Sequence, residues 1–159
     1  MKKANADIAL VRKKIYRYCA YQERCHQEVK DKLYQLGLRT EEVNHLLDEL
    51  IAEGFVNEER FARAFAGGKF RMKKWGRLKI IRELEMRNIT PRCVALALQE
   101  INTTEYRQTL RLLLHKKLHE LRHTTADPFV LRSKLSRYLM QKGYEPELLW
   151  EEIRSIWPD

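Results

Sequence analysis

Residues 54–89 read GFVNEERFARAFAGGKFRMKKWGRLKIIRELEMRNI, and this stretch decides the fold. Gly54 tolerates a positive φ angle, which suits the position just past the end of a helix. Asn57 is a favourable N-cap, and the two acids that follow it suit the positive end of a helix dipole. Phe61 and Phe65 then recur at helical spacing. The stretch therefore predicts a helix that begins at Asn57.

The second half of the stretch predicts a second helix. Gly67 and Gly68 weaken the middle of the first helix, and we expect them to mark a bend or its end near Phe70. The second helix should run from about Trp75 to Asn88. Its expected apolar face consists of Leu78, Ile81 and Leu84, with Ile80 beside them. The basic residues between these positions should then lie at the edge of that face or beyond it.

A basic run crosses both predicted helices. From Arg60 to Arg82 the chain contains nine Arg or Lys residues and no acid. Charges without nearby acids repel one another, which favours an anionic partner, although a solvated helix face is the alternative. Trp75 either packs in the core or stacks on a nucleic-acid base. The candidate binding residues are Arg60, Lys69, Arg71, Lys73, Lys74, Trp75, Arg77, Lys79 and Arg82.

The composition limits the class of protein. The chain has 159 residues, of which 44% are hydrophobic and 33% charged, and its net charge is +9. This length suits one domain or a row of small units, and the positive charge favours a polyanion or an acidic protein surface as partner. The three cysteines form no CxxC pair, which argues against a disulfide framework and a cysteine zinc site. Without an apolar signal sequence or a membrane-length run, we expect a soluble, cytoplasmic protein.

The chain repeats one pattern three times. Apolar residues recur at spacings of three and four almost throughout, which predicts an all-α fold. Leu33, Leu84 and Leu139 align at offsets of 51 and 55 residues. Four residues later stand Gly37, Asn88 and Gly143, which accept the left-handed conformation that ends a helix. Further positions in register are Val29, Ile80 and Leu135; Leu38, Ile89 and Tyr144; Val43, Val94 and Leu149; Leu47, Leu98 and Ile153; and Leu50, Ile101 and Ile156.

We therefore expect three tandem three-helix repeats, at residues 1–55, 56–102 and 103–159. Such small units bury little alone and should share contacts with their neighbours, giving an elongated, slightly curved molecule. We expect it to be a monomer. The predicted helix starts include Asn5, Thr90 with Pro91, Asn102 with Glu105 as a capping box, and Asp127 with Pro128.

No pattern in the sequence predicts catalysis. Gly-rich phosphate loops, serine nucleophile motifs and paired carboxylates are all missing from it. His115, His119 and His123 share one helix face, and two such histidines are a possible metal pair. No carboxylate or cysteine stands in register with them, so a polar stripe that contacts phosphate is the favoured interpretation. We expect no enzyme activity, no metal and no cofactor.

The central stretch resembles the RecX family of bacterial recombination regulators. Residues 53–62 with Phe65 are similar to the family's Gly–aromatic–x–acid–acid–x–Arg–Phe–Ala signature, with Asn57 where Asp is common. A second segment matches the family's later pattern, with Asn88 in place of the usual Gly. Its matching residues are Gly76, Ile80, Glu83, Leu84 and Ile89.

The resemblance implies a partner that the composition does not reveal. Proteins of this family bind the RecA recombinase, mainly as its filament on single-stranded DNA. They are thought to lie in the filament groove, to block duplex DNA, and to suppress the ATPase and coprotease activities. The contact is expected at residues 69–82, with help from the third repeat. The alternative, which follows from the net charge alone, is a module that binds single- or double-stranded DNA without a recombinase partner.

Overall fold

The protein is described by a computed structural model covering residues 7–158. Within these residues the chain forms nine α-helices and no β-strand, which confirms the predicted all-α fold. In chain order the helices are α1 (Ile8–Tyr21), α2 (His26–Gln35), α3 (Thr40–Ala52), α4 (Glu58–Lys73), α5 (Arg77–Met86), α6 (Pro91–Leu98), α7 (Thr103–Leu121), α8 (Pro128–Lys142) and α9 (Pro146–Ile156).

The predicted repeat is visible in the turn that follows α2, α5 and α8. Gly37, Asn88 and Gly143 all have positive φ angles, of 95°, 59° and 100°. In each copy the next residue donates its backbone N–H to the carbonyl of the aligned leucine, at 3.2, 3.1 and 3.1 Å. This is the Schellman closure of a helix, repeated three times. The helices after these turns begin at Thr40, Pro91 and Pro146, which keep the same offsets of 51 and 55 residues.

The aligned apolar positions occupy equivalent places in the interior. Leu33, Leu84 and Leu139 are each fully buried, and so are the residues four positions before them. These burials confirm the repeat alignment. We call α1–α3 the first unit, α4–α6 the second unit and α7–α9 the third unit. Their boundaries at residues 55 and 102 stay a prediction, as does the elongated shape.

The buried residues form two cores of unequal extent. One core belongs to α1–α3 and includes Val56 from the loop that follows them. The other is continuous through α4–α9, and Cys25 from the start of α2 reaches into it. Val56, which follows the helices of the first unit, thus packs in the core of that unit. Cys25, which lies in the first unit, packs in the core of the second and third units. The second and third units, by contrast, share a single interior.

Three details of the central stretch differ from the prediction. Helix α4 does not end or break at Gly67 and Gly68 but continues to Lys73. Gly67 is buried in the packing of α4, which lies most extensively against α6. Leu78 is 40% exposed and is not on the buried face of α5, which is formed by Ile80 and Leu84 instead. The fifth helix starts at Arg77, two residues later than Trp75.

Helix starts were predicted more accurately than helix ends. The side chains of Asn57, Asn102 and Asp127 each accept a backbone N–H in the first turn of the following helix. Thr90 makes no side-chain cap, and its own N–H donates to the Glu58 carboxylate at 2.7 Å. The predicted start at Asn5 lies outside the described residues.

The second and third units meet through their backbones. The N–H of Gly76 donates to the carbonyl of Lys142 at 2.7 Å, and that of Leu78 donates to the carbonyl of Gly143 at 2.9 Å. A Cβ at Gly76 would lie less than 3.0 Å from backbone atoms of Gly143 and Tyr144. The approach therefore requires glycine at position 76, although its φ angle of −77° is open to any residue.

We expect Gly76→Ala to lower the free energy of unfolding by about 2–4 kcal/mol, because backbone atoms cannot move aside as a flexible side chain does. Urea unfolding followed by circular dichroism measures the change. The matched control is Gly68→Ala, since a Cβ there meets no atom within 4 Å. That control should be neutral or more stable by roughly 0.5–1 kcal/mol, as alanine favours a helix interior. Equal stabilities for the two variants would contradict the close approach.

Candidate partner-binding surface

Residues 60–82 contain no acid, but folding brings carboxylates from other parts of the chain close to some of their basic side chains. Of the nine cations in this run, Arg60, Arg63 and Arg77 form ion pairs with carboxylates from other parts of the chain. Among the described residues, the other six have no carboxylate within 4.0 Å. We call this set the basic band; its members are Lys69, Arg71, Lys73, Lys74, Lys79 and Arg82.

Arg60 joins the first unit to the second. Its Nε lies 2.5 Å from Glu23 Oε1, and its Nη2 donates to the carbonyl of Gly54 at 2.9 Å. Arg63 has a similar role within the second unit, where it pairs with Glu59 on its own helix and with Glu100 after α6. The structure thus pairs the Arg60 guanidinium with this chain's own carboxylate, although the side chain is 46% exposed.

Arg77 joins the second unit to the third. Its guanidinium stacks 3.9 Å from the centre of the Tyr106 ring and pairs with Glu145 at 2.7 Å. The Tyr106 hydroxyl donates to Glu145 and accepts the backbone N–H of Arg77 at 3.0 Å. Burial raises the pKa of Tyr106, and the hydrogen bond to Glu145 raises it further. The phenol therefore stays protonated and keeps its donor role at neutral pH.

Trp75 lies between two members of the basic band. The ammonium groups of Lys69 and Lys79 lie 5.1 and 4.6 Å from the centre of its ring, within cation–π range. Its edge packs against Phe65 with ring centres 6.3 Å apart. The indole is half-buried: one part packs against Phe65 and another part remains accessible between the cations, while stacking on a base stays a prediction.

Two further members of the band, Lys73 and Lys74, lie at the turn between α4 and α5. Lys73 and Lys74 are exposed at the carboxyl end of α4, where the helix dipole favours cations. Lys74 adopts a left-handed conformation with a φ of 60°. The third unit holds this turn in place, since Tyr144 donates its hydroxyl to the carbonyl of Lys74 at 2.9 Å and Lys142 Nζ contacts that of Lys73 at 3.3 Å.

Sequence reasoning missed a second basic surface, in the first unit. A groove between α1 and α2 is lined by Lys14, Arg17, Tyr18, Tyr21 and Lys32. The signal was present, because positions 14, 17, 18 and 21 have the spacing of one helix face. It was overlooked because the first unit contains the acidic α3, which dominates the charge of that part of the sequence.

The histidine stripe lies at the surface of the third unit, and its contact with phosphate stays a prediction. His115, His119 and His123 are exposed, and the last two meet edge to face at 5.1 Å. In the part of the chain that the structure covers, no three metal-ligating side chains cluster together. Two basic residues of α7, Arg107 and Arg111, pair with Glu151 and Glu152 of α9. Nor does any of the helices in residues 7–158 have the length and apolarity needed to cross a membrane.

Comparison with family models identifies two of the three units. The model described as RecX, second three-helix domain, matches residues 57–98, and the model described as RecX, third three-helix domain, matches residues 104–152. Together these cover more than half of the chain. They also coincide with the two units that share one core.

Individual relatives give the same result. The regulatory protein RecX of Clostridium tetani is 27% identical over 82% of this chain and 57% of the relative, and that of Clostridium perfringens strain 13 is 27% identical over 82% and 60%. The chain thus spans less than two thirds of these relatives' length. The crystal structure of RecX from Lactobacillus salivarius superimposes with a TM-score of 0.80 at 20% identity, over 94% of this chain and 96% of that one. A second crystal structure, of a regulatory protein RecX, gives 0.79 at 19% identity, over 98% and 81%.

We expect Arg77→Gln to lower the free energy of unfolding by about 1–3 kcal/mol, because it leaves Glu145 half-buried without its cation and removes a stacked group from Tyr106. The same substitution at Arg71, which is exposed, should change it by less than about 0.5 kcal/mol. Urea unfolding of both variants checks this difference. If Arg71→Gln costs as much as Arg77→Gln, Arg77 is not a specific link between units.

Proposed function

This chain belongs to the RecX family, and on that premise we propose that it is a non-catalytic regulator of the RecA recombinase. It binds in the groove of the filament that RecA forms on single-stranded DNA and suppresses its recombinase, ATPase and coprotease activities. Through this inhibition it restrains homologous recombination, DNA repair and the SOS response in the cytoplasm.

One observation carries the proposal for the contact surface. Six cations of the basic band lack a carboxylate partner among the described residues, although the same stretch contains three arginines that have one. The third unit fixes the turn in the middle of the band through hydrogen bonds to the carbonyls of Lys73 and Lys74. A backbone that is already fixed loses little conformational entropy on docking, which suits a filament with acidic walls and a DNA backbone within.

The structure changes which residues are suitable for testing the contact. Arg60 and Arg77 remain part of the predicted site, but each also links two units, so their substitution would mix binding with stability. Arg71, Lys73 and Arg82 are exposed and unpaired within residues 7–158. These three positions therefore separate a binding role from a structural one.

We expect the wild-type protein to inhibit the DNA-dependent ATPase of its cognate RecA, and Arg71→Glu/Lys73→Glu/Arg82→Glu to lose both inhibition and binding in a pull-down. The control is Arg39→Glu/Arg92→Glu/Arg154→Glu, which makes the same charge change at exposed positions outside the band and should inhibit as the wild type does. Absence of binding and inhibition by the wild type would contradict the function. Full inhibition by the first variant would contradict the surface alone.

Direct DNA binding is the second candidate function. The observation that favours it is the pair of basic surfaces that each carry an accessible aromatic ring, Trp75 in the band and Tyr21 in the groove of the first unit. Cations near exposed rings are the usual composition of sites for single strands. This function predicts an affinity for single-stranded DNA that falls steeply as salt is added, because each phosphate contact releases counterions. Weak binding that salt does not change would exclude it.

A further inference from the structure

The groove between α1 and α2 is a second basic feature of the protein. It has a volume of about 470 Å³, and none of its lining residues is acidic. Its polar and aromatic walls are formed by Lys14, Arg17, Tyr18, Tyr21, Arg24 and Lys32. Neither the family models, which begin at residue 57, nor the predicted binding site extends to this part of the chain.

Helix α1 contacts acidic side chains on one side and carries the basic side chains of the groove on the other. On one side, Arg12 pairs with Glu49 of α3 at 3.3 Å, and the Tyr16 hydroxyl donates to Glu49 and Glu53 at 2.9 and 2.7 Å. Lys14 and Arg17 lie about half a turn around the helix from Arg12, because successive residues are rotated by about 100°. The carboxylates of Glu49 and Glu53 therefore lie on the side of α1 that faces away from the groove.

The cations in the groove are available for an anion. In the part of the chain that the structure describes, no carboxylate lies within 4.0 Å of Lys14, Arg17 or Lys32. Arg24 is held as part of the wall: its guanidinium stacks 3.7 Å from the centre of the Tyr18 ring, its Nε donates to the Tyr18 carbonyl at 3.1 Å, and its Nη1 lies 3.9 Å from the Glu28 carboxylate. The groove thus combines one fixed cation with three unpaired ones.

Tyr21 indicates which kind of anion fits. It is 82% exposed at the last position of α1, so its ring contributes little to the core. An acidic protein surface needs only the cations, whereas an exposed ring beside them offers a face on which a base can stack. A duplex keeps its bases stacked on one another, so only an unpaired strand presents them to such a ring.

We propose that this groove binds single-stranded nucleic acid, with a base stacked on Tyr21 and successive phosphates on Lys14, Arg17 and Lys32. The proposal deepens the second candidate function, on which it rests, by assigning direct nucleic-acid binding to the first unit. Together with the basic band, the groove provides two separate contacts along the chain. A strand in the filament would then be held at a place distinct from the recombinase contact.

The test measures binding of a fluorescently labelled oligothymidylate to the full chain by anisotropy across a salt titration. Tyr21→Ala should weaken binding roughly five- to hundredfold, the range that loss of one stacked base gives. Tyr21→Phe keeps the ring and should bind as the wild type does. The matched control Phe129→Ala removes another exposed aromatic ring, 79% accessible on α8, and should have no effect.

A second pair of variants tests the phosphates. Lys14→Gln/Arg17→Gln should reduce the slope of log affinity against log salt by about 1.4, since each phosphate contact on a single strand contributes about 0.7. Arg92→Gln/Arg154→Gln removes the same charge from exposed positions outside both basic surfaces and should leave the slope unchanged. Circular dichroism melting confirms that each variant is folded, as substitutions at exposed positions predict.

The possible results separate failure of the groove proposal from failure of the two functions proposed above. If the wild type does not bind the oligonucleotide, the second candidate function and the groove are both wrong, while filament regulation is unaffected. If it binds but Tyr21→Ala and the Lys14/Arg17 variant bind equally well, only the groove is wrong. If the cation variant binds less well and Tyr21→Ala does not, the groove is an electrostatic surface for another anion, and the stacking proposal is overturned.

Discussion

The close approach of two backbones at Gly76 and Gly143 is the contact on which the rest of the structure depends. Because no side chain separates them, the N–H groups at the start of α5 reach the carbonyls at the end of α8. These bonds satisfy groups that helix ends leave unpaired. They also bring Tyr106, Tyr144 and Arg77 into one cluster, so that the second and third units share a single core. The turn that carries the basic band is fixed as a consequence.

Some cations of the central run stabilise the fold through ion pairs, whereas the others have no carboxylate partner among the described residues. The three cations of the central run that pair with carboxylates are all arginines, whose planar guanidinium can bond several acceptors at once. They join the first unit to the second, α4 to α6, and the second unit to the third. Most of the unpaired members are lysines, which remain at the surface.

Much of the fold could be predicted, because it depends on local rules. Helical spacing gave the all-α class, and the residues at positions 37, 88 and 143 gave the repeat, since each must adopt a left-handed conformation to end a helix. The errors have tertiary causes. Gly67 does not end α4 because burial of that helix against α6 outweighs the weak helix propensity of glycine. Leu78 was assigned to the apolar face of α5, but it is 40% exposed, whereas Ile80 and Leu84 of that face are fully buried.

The sequence by itself determined the helical class, the triplicated unit and its offsets, and the presence of an unusually basic central stretch. Only the tertiary structure decided which of those cations are free. Glu23, Glu100 and Glu145 are far from the run in sequence, and folding places them beside Arg60, Arg63 and Arg77. Composition counts charges along the chain, whereas pairing depends on distances in space that packing alone sets. For the same reason, the groove on α1 appeared only when the acids of α3 were found on the opposite side of that helix.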